Sequence, residues 1–256
     1  MALRAPRARL RLVESAVAEA KGAPVDLANP LAERGDGAAT GTPTPAPVIA
    51  DAPGREADKL EPVTAGGIAG LPDAQLVALG ARGDRSALEI LYRRHVAFAI
   101  HLATRIEGSA RDVEDIAHDA FLRAFERLGD LADPSAFRAW LGSIVVHKVR
   151  SRMRRTRILN LLGMGKSSEP VDLDALASPE ASPHVRAQIA QIYALLKTLA
   201  ADERIAWILR SVEGHDLETV ARLTGCSLAT VKRRIGRAQH FLDEHFVDPT
   251  HSEVPS

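Results

Sequence analysis

Apolar residues recur at helical spacing along most of the chain after Leu71, and the polar residues between them mark where each helix starts and stops. Pro72-Asp73 opens a short helix that ends near Gly80. A longer one carries Leu88, Leu91, Tyr92, Val96, Ala99, Leu102 and Ile106 on one stripe, and Glu107-Gly108-Ser109 breaks it. From 112 to 128 the repeat is regular. Val113, Ile116, Ala117, Ala120, Phe121, Ala124, Phe125 and Leu128 face one way; Glu114, Asp115, His118, Asp119, Arg123 and Glu126 face the other. Acid in the first turn suits the positive end of the helix dipole, so this polar face is also what plain solvation would produce. Gly129 and Pro134 then punctuate the chain.

The next helix, 137–157, changes character halfway. Phe137, Trp140, Leu141, Ile144 and Val145 are apolar at helical spacing, and Lys148, Arg150, Arg152, Arg154, Arg155 and Arg157 follow. One end is built for a core and the other presents guanidinium groups to an anion, for which the nucleic-acid backbone is the commonest target. The bland alternative is a solvated cationic helix end. Trp140 could serve as a stacking platform for a base, but its spacing assigns it to the core.

Residues 158–184, rich in Ser, Pro, Gly and acid, read as a flexible linker. Helical periodicity resumes with Ile189, Ile192, Tyr193, Leu195, Leu196 and Leu199, and again over 204–212. A helix-turn-helix pattern closes the ordered part. Asp216 caps a helix carrying Leu217, Val220, Ala221 and Leu223, and Gly225 suits a left-handed helix end. Ser227 caps a second helix with Leu228, Val231, Ile235, Ala238 and Leu242 on its seam. Thr230, Lys232, Arg233, Arg234 and Arg237 lie largely off that seam, the composition of a helix that reads the major groove. Before all this, residues 1–68 are rich in Pro, Gly, Ala and Thr and carry no helical period beyond Ala20, so they read as a disordered extension. Residues 248–256 read as a tail.

Composition adds limits. The 256 residues are 46% hydrophobic, enough for one or two cores, and the formal net charge is zero, so only local patches can speak for a charged partner. The single cysteine, Cys226, excludes an internal disulfide and a zinc site of several thiolates, which fits a reducing compartment. No apolar run is long enough to span a bilayer, and arginines interrupt the N-terminal segment where a signal peptide would need an apolar stretch, so a cytoplasmic protein without membrane insertion is expected. The His118-Asp119 pair invites comparison with metal phosphohydrolases, but no second His/Asp cluster stands at a matching helical position. With no glycine-rich phosphate loop or nucleophile motif, no catalytic residues, metal, cofactor or small-molecule substrate are expected.

DVEDIAHDAFLRAFERL (112–128), FRAWLGSIVVHKVRSRMRRTR (137–157) and HDLETVARLTGCSLATVKRRIGRAQHFL (215–242) together resemble the sigma-70 family of bacterial RNA polymerase sigma factors, specifically the compact extracytoplasmic-function (ECF, group IV) type. The resemblance covers 71–157 and 185–245. It implies an all-α fold of two small helical domains: sigma region 2 at 69–157 and sigma region 4 at 185–247. It further implies core polymerase docking through Asp115, His118, Asp119 and Arg123, and melting and holding of the −10 element by the 137–157 helix. His147, Lys148, Arg150, Arg152, Arg154 and Arg155 are the expected −10 contacts. Thr230, Lys232, Arg233, Arg234 and Arg237 are the expected −35 contacts. The implied partners are core RNA polymerase, through its largest catalytic subunits, and promoter DNA; many relatives are held by an anti-sigma factor. His118-Asp119 stands where the family often has Gln-Glu or Gln-Asp, and His147 and Ser151 stand where it usually has Asn and Asp. The −10 base preference therefore does not transfer. The rival reading is a stand-alone helix-turn-helix regulator, with 71–157 as an effector module. An acidic helix followed directly by a Trp-anchored basic one serves no purpose in it.

Overall fold

A computed structural model describes residues 65–164 and 171–247, and every regular element in them is helical. The expected disorder of the N-terminal extension, apart from its last few residues, and the expected tail lie outside the described residues. After a single turn, α1 (Ala65–Ile68), the first unit comprises α2 (Asp73–Gly80), α3 (Arg85–Glu107), α4 (Val113–Glu126) and α5 (Phe137–Leu161). A one-turn helix, α6 (Leu173–Leu176), leads to the second unit: α7 (Pro183–Thr198), α8 (Ala201–Trp207), α9 (Leu217–Thr224) and α10 (Leu228–His245).

Local chemistry explains these boundaries. The Asp84 carboxylate accepts the Ser86 and Ala87 N–H groups at 2.9 and 3.1 Å, and Gly108, at φ 68°, ends α3 in the left-handed conformation. Ser182 caps α7, with Pro183 in its first turn. The stretch expected as one helix over 204–212 starts at Ala201 and passes into a π-helical turn, Ile208–Val212. Such insertions rotate the residues beyond them relative to a straight helix.

In the first unit α3, α4 and α5 bury Leu91, Phe121, Phe137, Leu141 and Val145 against one another. In the second, Trp207 is fully buried among the helices, and its indole N–H donates to the Gln239 side-chain oxygen at 3.0 Å. Trp140, assigned to the core from its spacing, is half-buried, with its ring 6.3 Å from that of Phe137.

The two units also share buried surface. Tyr193 on α7 is 2% exposed and its hydroxyl donates to the Arg105 carbonyl of α3 at 3.0 Å. A Cβ on Gly108 would meet the Tyr193 ring at 2.8 Å, so this close approach needs glycine as much as the backbone angle does. Arg105, itself buried, donates to the Leu176 carbonyl at 3.0 Å. The described parts of the 158–184 linker are accordingly more ordered than their composition implies. Without a breaker before Gly163 (φ 69°), α5 runs on to Leu161. Beyond the undescribed residues 165–170, Asp172 caps α6 and its N–H donates to the Gly108 carbonyl at 3.2 Å. Leu176 is 1% exposed.

Candidate nucleic-acid interface

Three polar surfaces follow from this packing. On α4 the apolar stripe is buried, and Asp115, His118, Asp119 and Arg123 all stand in solvent on the opposite face. The structure thus brings the expected docking residues together. It adds Leu122, half exposed in the middle of that face. Sequence reading passed over Leu122, though its place off the buried stripe was the available signal: an apolar side chain among charges suits a protein partner.

The second surface is the basic half of α5. His147, Arg154 and Arg155 are exposed, and Lys148, Arg150 and Arg152 are half-buried. Most of these cations already have anions inside the chain. Lys148 Nζ lies 3.1 Å from Asp119 Oδ2, which joins the second surface to the first. Arg152 Nη2 lies 2.9 Å from Asp112 Oδ2, and its Nε 3.7 Å from Glu107 Oε1. Asp112 is the one non-glycine residue with positive φ (56°) among the described residues, and its side chain does not cap α4. Arg150 Nε lies 2.9 Å from Asp202 Oδ1, and Arg154 Nη2 lies 2.8 Å from Asp202 Oδ2. Arg155 has no ion-pair partner among the described residues.

The third surface is the helix-turn-helix. Asp216 accepts the Thr219 N–H at 2.6 Å, which is the main reason its carboxyl sits below the ordinary carboxylate range. Gly225 adopts φ 64°, and Ser227 caps α10. Lys232 and Arg233 project from α10 in the open, with no ion-pair partner among the described residues. The rest of the expected −35 set is engaged. The Thr230 hydroxyl lies 3.0 Å from the Ser227 hydroxyl, Arg234 Nη2 is 3.2 Å from Asp202 Oδ2, and Arg237 Nη1 is 3.5 Å from Glu203 Oε1.

The second and third surfaces face each other. Leu223 of α9 lies where a Cβ on Gly142 of α5 would come within 3.2 Å, and Arg150 Nη2 donates to the Thr224 carbonyl at 2.9 Å. Burial there lowers the affinity of Arg150 for its proton, opposed by Asp202 and reinforced by the neighbouring charges of Arg234 and Arg154. His147, though exposed overall, is partly desolvated where its ring approaches Gly225, which depresses it below its ordinary value, and the charge of Arg150 adds to the effect. Sequence reading missed Asp202 and Glu203, because two acids in the first turn of a helix look like ordinary dipole complements. Only their placement opposite two basic helices distinguishes them.

An all-α protein with an exposed acidic, partly apolar helix face, a basic helix and a helix-turn-helix belongs with DNA-directed transcription proteins. Comparison with known families narrows this. The family descriptions Sigma-70 region 2 and Sigma-70, region 4 match residues 91–158 and 189–238. The ECF RNA polymerase sigma factor SigM of Mycobacterium tuberculosis is 30% identical over 167 residues, which is 65% of this chain and 81% of SigM. The RNA polymerase sigma-H factor of Pseudomonas aeruginosa is 28% identical over 189 residues, 67% of this chain and 92% of the relative. Among solved structures, CnrH in complex with the cytosolic domain of CnrY is 30% identical, covering 67% of this chain and 95% of CnrH, with a TM-score of 0.45. The sigma factor RpoE of Bartonella quintana, solved with the anti-sigma factor NepR, is 23% identical with a TM-score of 0.46 and covers 61% and 94%. The chain belongs to the ECF group of the sigma-70 family, whose members direct RNA polymerase to promoters and are non-catalytic initiation factors.

Proposed function

We propose that this protein acts as a promoter-specificity subunit with the surfaces above in separate roles. Residues 69–157 and 185–247 serve as regions 2 and 4. The α4 face, through Asp115, His118, Asp119 and Arg123 with Leu122 at its centre, docks on core polymerase. The observation that carries this is that the face stays open to solvent while α5, beyond it, packs on the first helix of the helix-turn-helix, α9. The partner that opens the molecule therefore has an accessible first contact.

Once docked, α5 takes the nontemplate −10 strand. Lys148, Arg150, Arg152, Arg154 and Arg155 supply sequence-blind phosphate contacts, and His147 lies where an unstacked base can stack or hydrogen-bond. On α10, Lys232 and Arg233 with Thr230, Arg234 and Arg237 read the −35 major groove, where an arginine bridging guanine O6 and N7 discriminates by about 1–3 kcal/mol. Nothing in this scheme requires the chain to catalyse a reaction. Among the described residues no helix is long and apolar enough to cross a membrane, and a role on polymerase places the protein in the cytoplasm. An anti-sigma factor is a further partner proposed from the family.

Transcription in vitro on fragmented genomic DNA, using purified core polymerase with and without this protein, tests the reading. New discrete starts that require the protein and vanish in Asp115→Lys/Asp119→Lys establish it, and the aligned upstream sequences supply the −10 and −35 bases. Starts that survive the double charge reversal would remove α4 from the docking role, and the absence of any starts would overturn the reading itself.

A further inference from the structure

The carboxylate of Asp202 sits at the meeting point of both DNA-directed helices. Arg150 and Arg154 reach it from α5 at 2.9 and 2.8 Å, and Arg234 reaches it from α10 at 3.2 Å. The next residue, Glu203, takes Arg237 at 3.5 Å. Three guanidinium groups around one carboxylate leave a local excess of positive charge. Burial and mutual repulsion already weigh on Arg150. Beside the cluster Leu223 packs against Gly142, and Arg150 also donates to the Thr224 carbonyl.

Arg150 and Arg154 are among the cations assigned to the −10 strand, and Arg234 and Arg237 among those assigned to the −35 groove. A carboxylate that pairs with Arg150, Arg154 and Arg234 at once, with Glu203 beside it taking Arg237, occupies the place of DNA phosphate. We propose that Asp202 is an internal latch that stands in for phosphate, holding α5 and the helix-turn-helix face to face in the free protein, so that latch and promoter DNA exclude one another. The DNA roles of these arginines rest on the sigma-factor reading above; the latch itself rests on the ion-pair geometry. Lys232, Arg233 and Arg155 stay outside it and remain available for a first, weak contact with DNA. Asp202 keeps a fifth of its side chain in solvent and Arg154 more than half. Water and salt therefore screen the contacts, and a partner that pulls the units apart meets a modest barrier.

The test compares the full chain with Asp202→Asn, Asp202→Glu and Glu218→Gln. The last removes one exposed carboxylate from α9 outside the cluster and so corrects for net charge. The probe is a fluorescein-labelled, mixed-sequence 30-base-pair duplex at low salt, read by fluorescence anisotropy, with the radius of gyration from small-angle scattering as a second readout. Asp202→Asn is expected to bind about fivefold or more tighter than Glu218→Gln and to expand, since freed guanidinium groups add phosphate contacts. Asp202→Glu should stay near the parent in both. Equal binding and equal size for Asp202→Asn and Glu218→Gln would overturn the latch. Should Asp202→Asn lose its helical signal, Asp202→Ser, which keeps a side-chain acceptor at the helix start, carries the same comparison. Transcription with core polymerase separates the two proposals. Starts from every variant without the affinity difference leave the sigma role standing and remove the latch. The affinity difference without any starts does the reverse.

Discussion

The basic helices α5 and α10 look alike in sequence and differ in the folded chain. Each has a buried seam and a run of Lys and Arg off it. Yet Lys148, Arg150, Arg152 and Arg154 of α5 are tied to carboxylates on α8, at the start of α4 and on its outer face. On α10, Arg234 and Arg237 are likewise paired, with Asp202 and Glu203, but Lys232 and Arg233 face solvent. A cationic pattern in the sequence thus marks where positive charge lies without saying how much of it the fold has already paired.

The largest effect is expected at Tyr193, one of the side chains that join the unit carrying α5 to the unit carrying α10. Replacing it by alanine removes a buried ring and the hydroxyl bonded to Arg105, which should cost about 3–5 kcal/mol and lower the midpoint of thermal unfolding by many degrees. A midpoint within a degree or two of the parent would mean that the ring does not join the units. The same tyrosine gives an alkaline signature. Burial pushes its hydroxyl up to about 12, and because the folded value lies above the ordinary one near 10, stability is full below about pH 10 and declines as pH rises towards 12. Tyr193→Phe should remove that part of the decline in a pH series of urea titrations.

Arg233→Ala sharpens the comparison from the open side. It should weaken binding to a promoter duplex by about 1–3 kcal/mol and relax base preference at one −35 position, with little change in thermal stability. A loss equal on specific and random DNA would reassign Arg233 to phosphate. Asp216→Ala, which removes the cap of α9, should cost about 1 kcal/mol of stability and loosen the helix-turn-helix without touching α5. The smallest effect belongs to His147. Its folded value is depressed, first by partial burial and then by Arg150, so the folded chain prefers the neutral ring. The contribution is complete above the ordinary value near pH 6.5 and is lost as pH falls through the depressed one. His147→Gln should flatten the radius of gyration between pH 7.5 and 5.5; an unchanged slope would place the sensitivity elsewhere.

Much of the site was legible before the fold. Periodicity placed the α4 and α5 stripes, capping chemistry placed Asp216, Gly225 and Ser227, and the run from Lys148 to Arg155 marked the cationic half of α5. Leu122 escaped because reading centred on the buried stripe, although its exposure is implied by the same spacing. The helix continuation to Leu161 escaped because the chain turns from basic to apolar there, while backbone propensity, unbroken before Gly163, carries the helix on.

The sequence by itself determined the helices, their caps, the acidic face and the two cationic runs, since these depend on residues within a few positions of one another. Asp202 is different. Its carboxylate meets Arg150, Arg154 and Arg234 only because Tyr193, Gly108, Leu223 and Gly142 bring two units together across long stretches of chain. No local period records which carboxylate will face which arginine. That choice belongs to the packing of nonlocal surfaces, and only the tertiary structure made it.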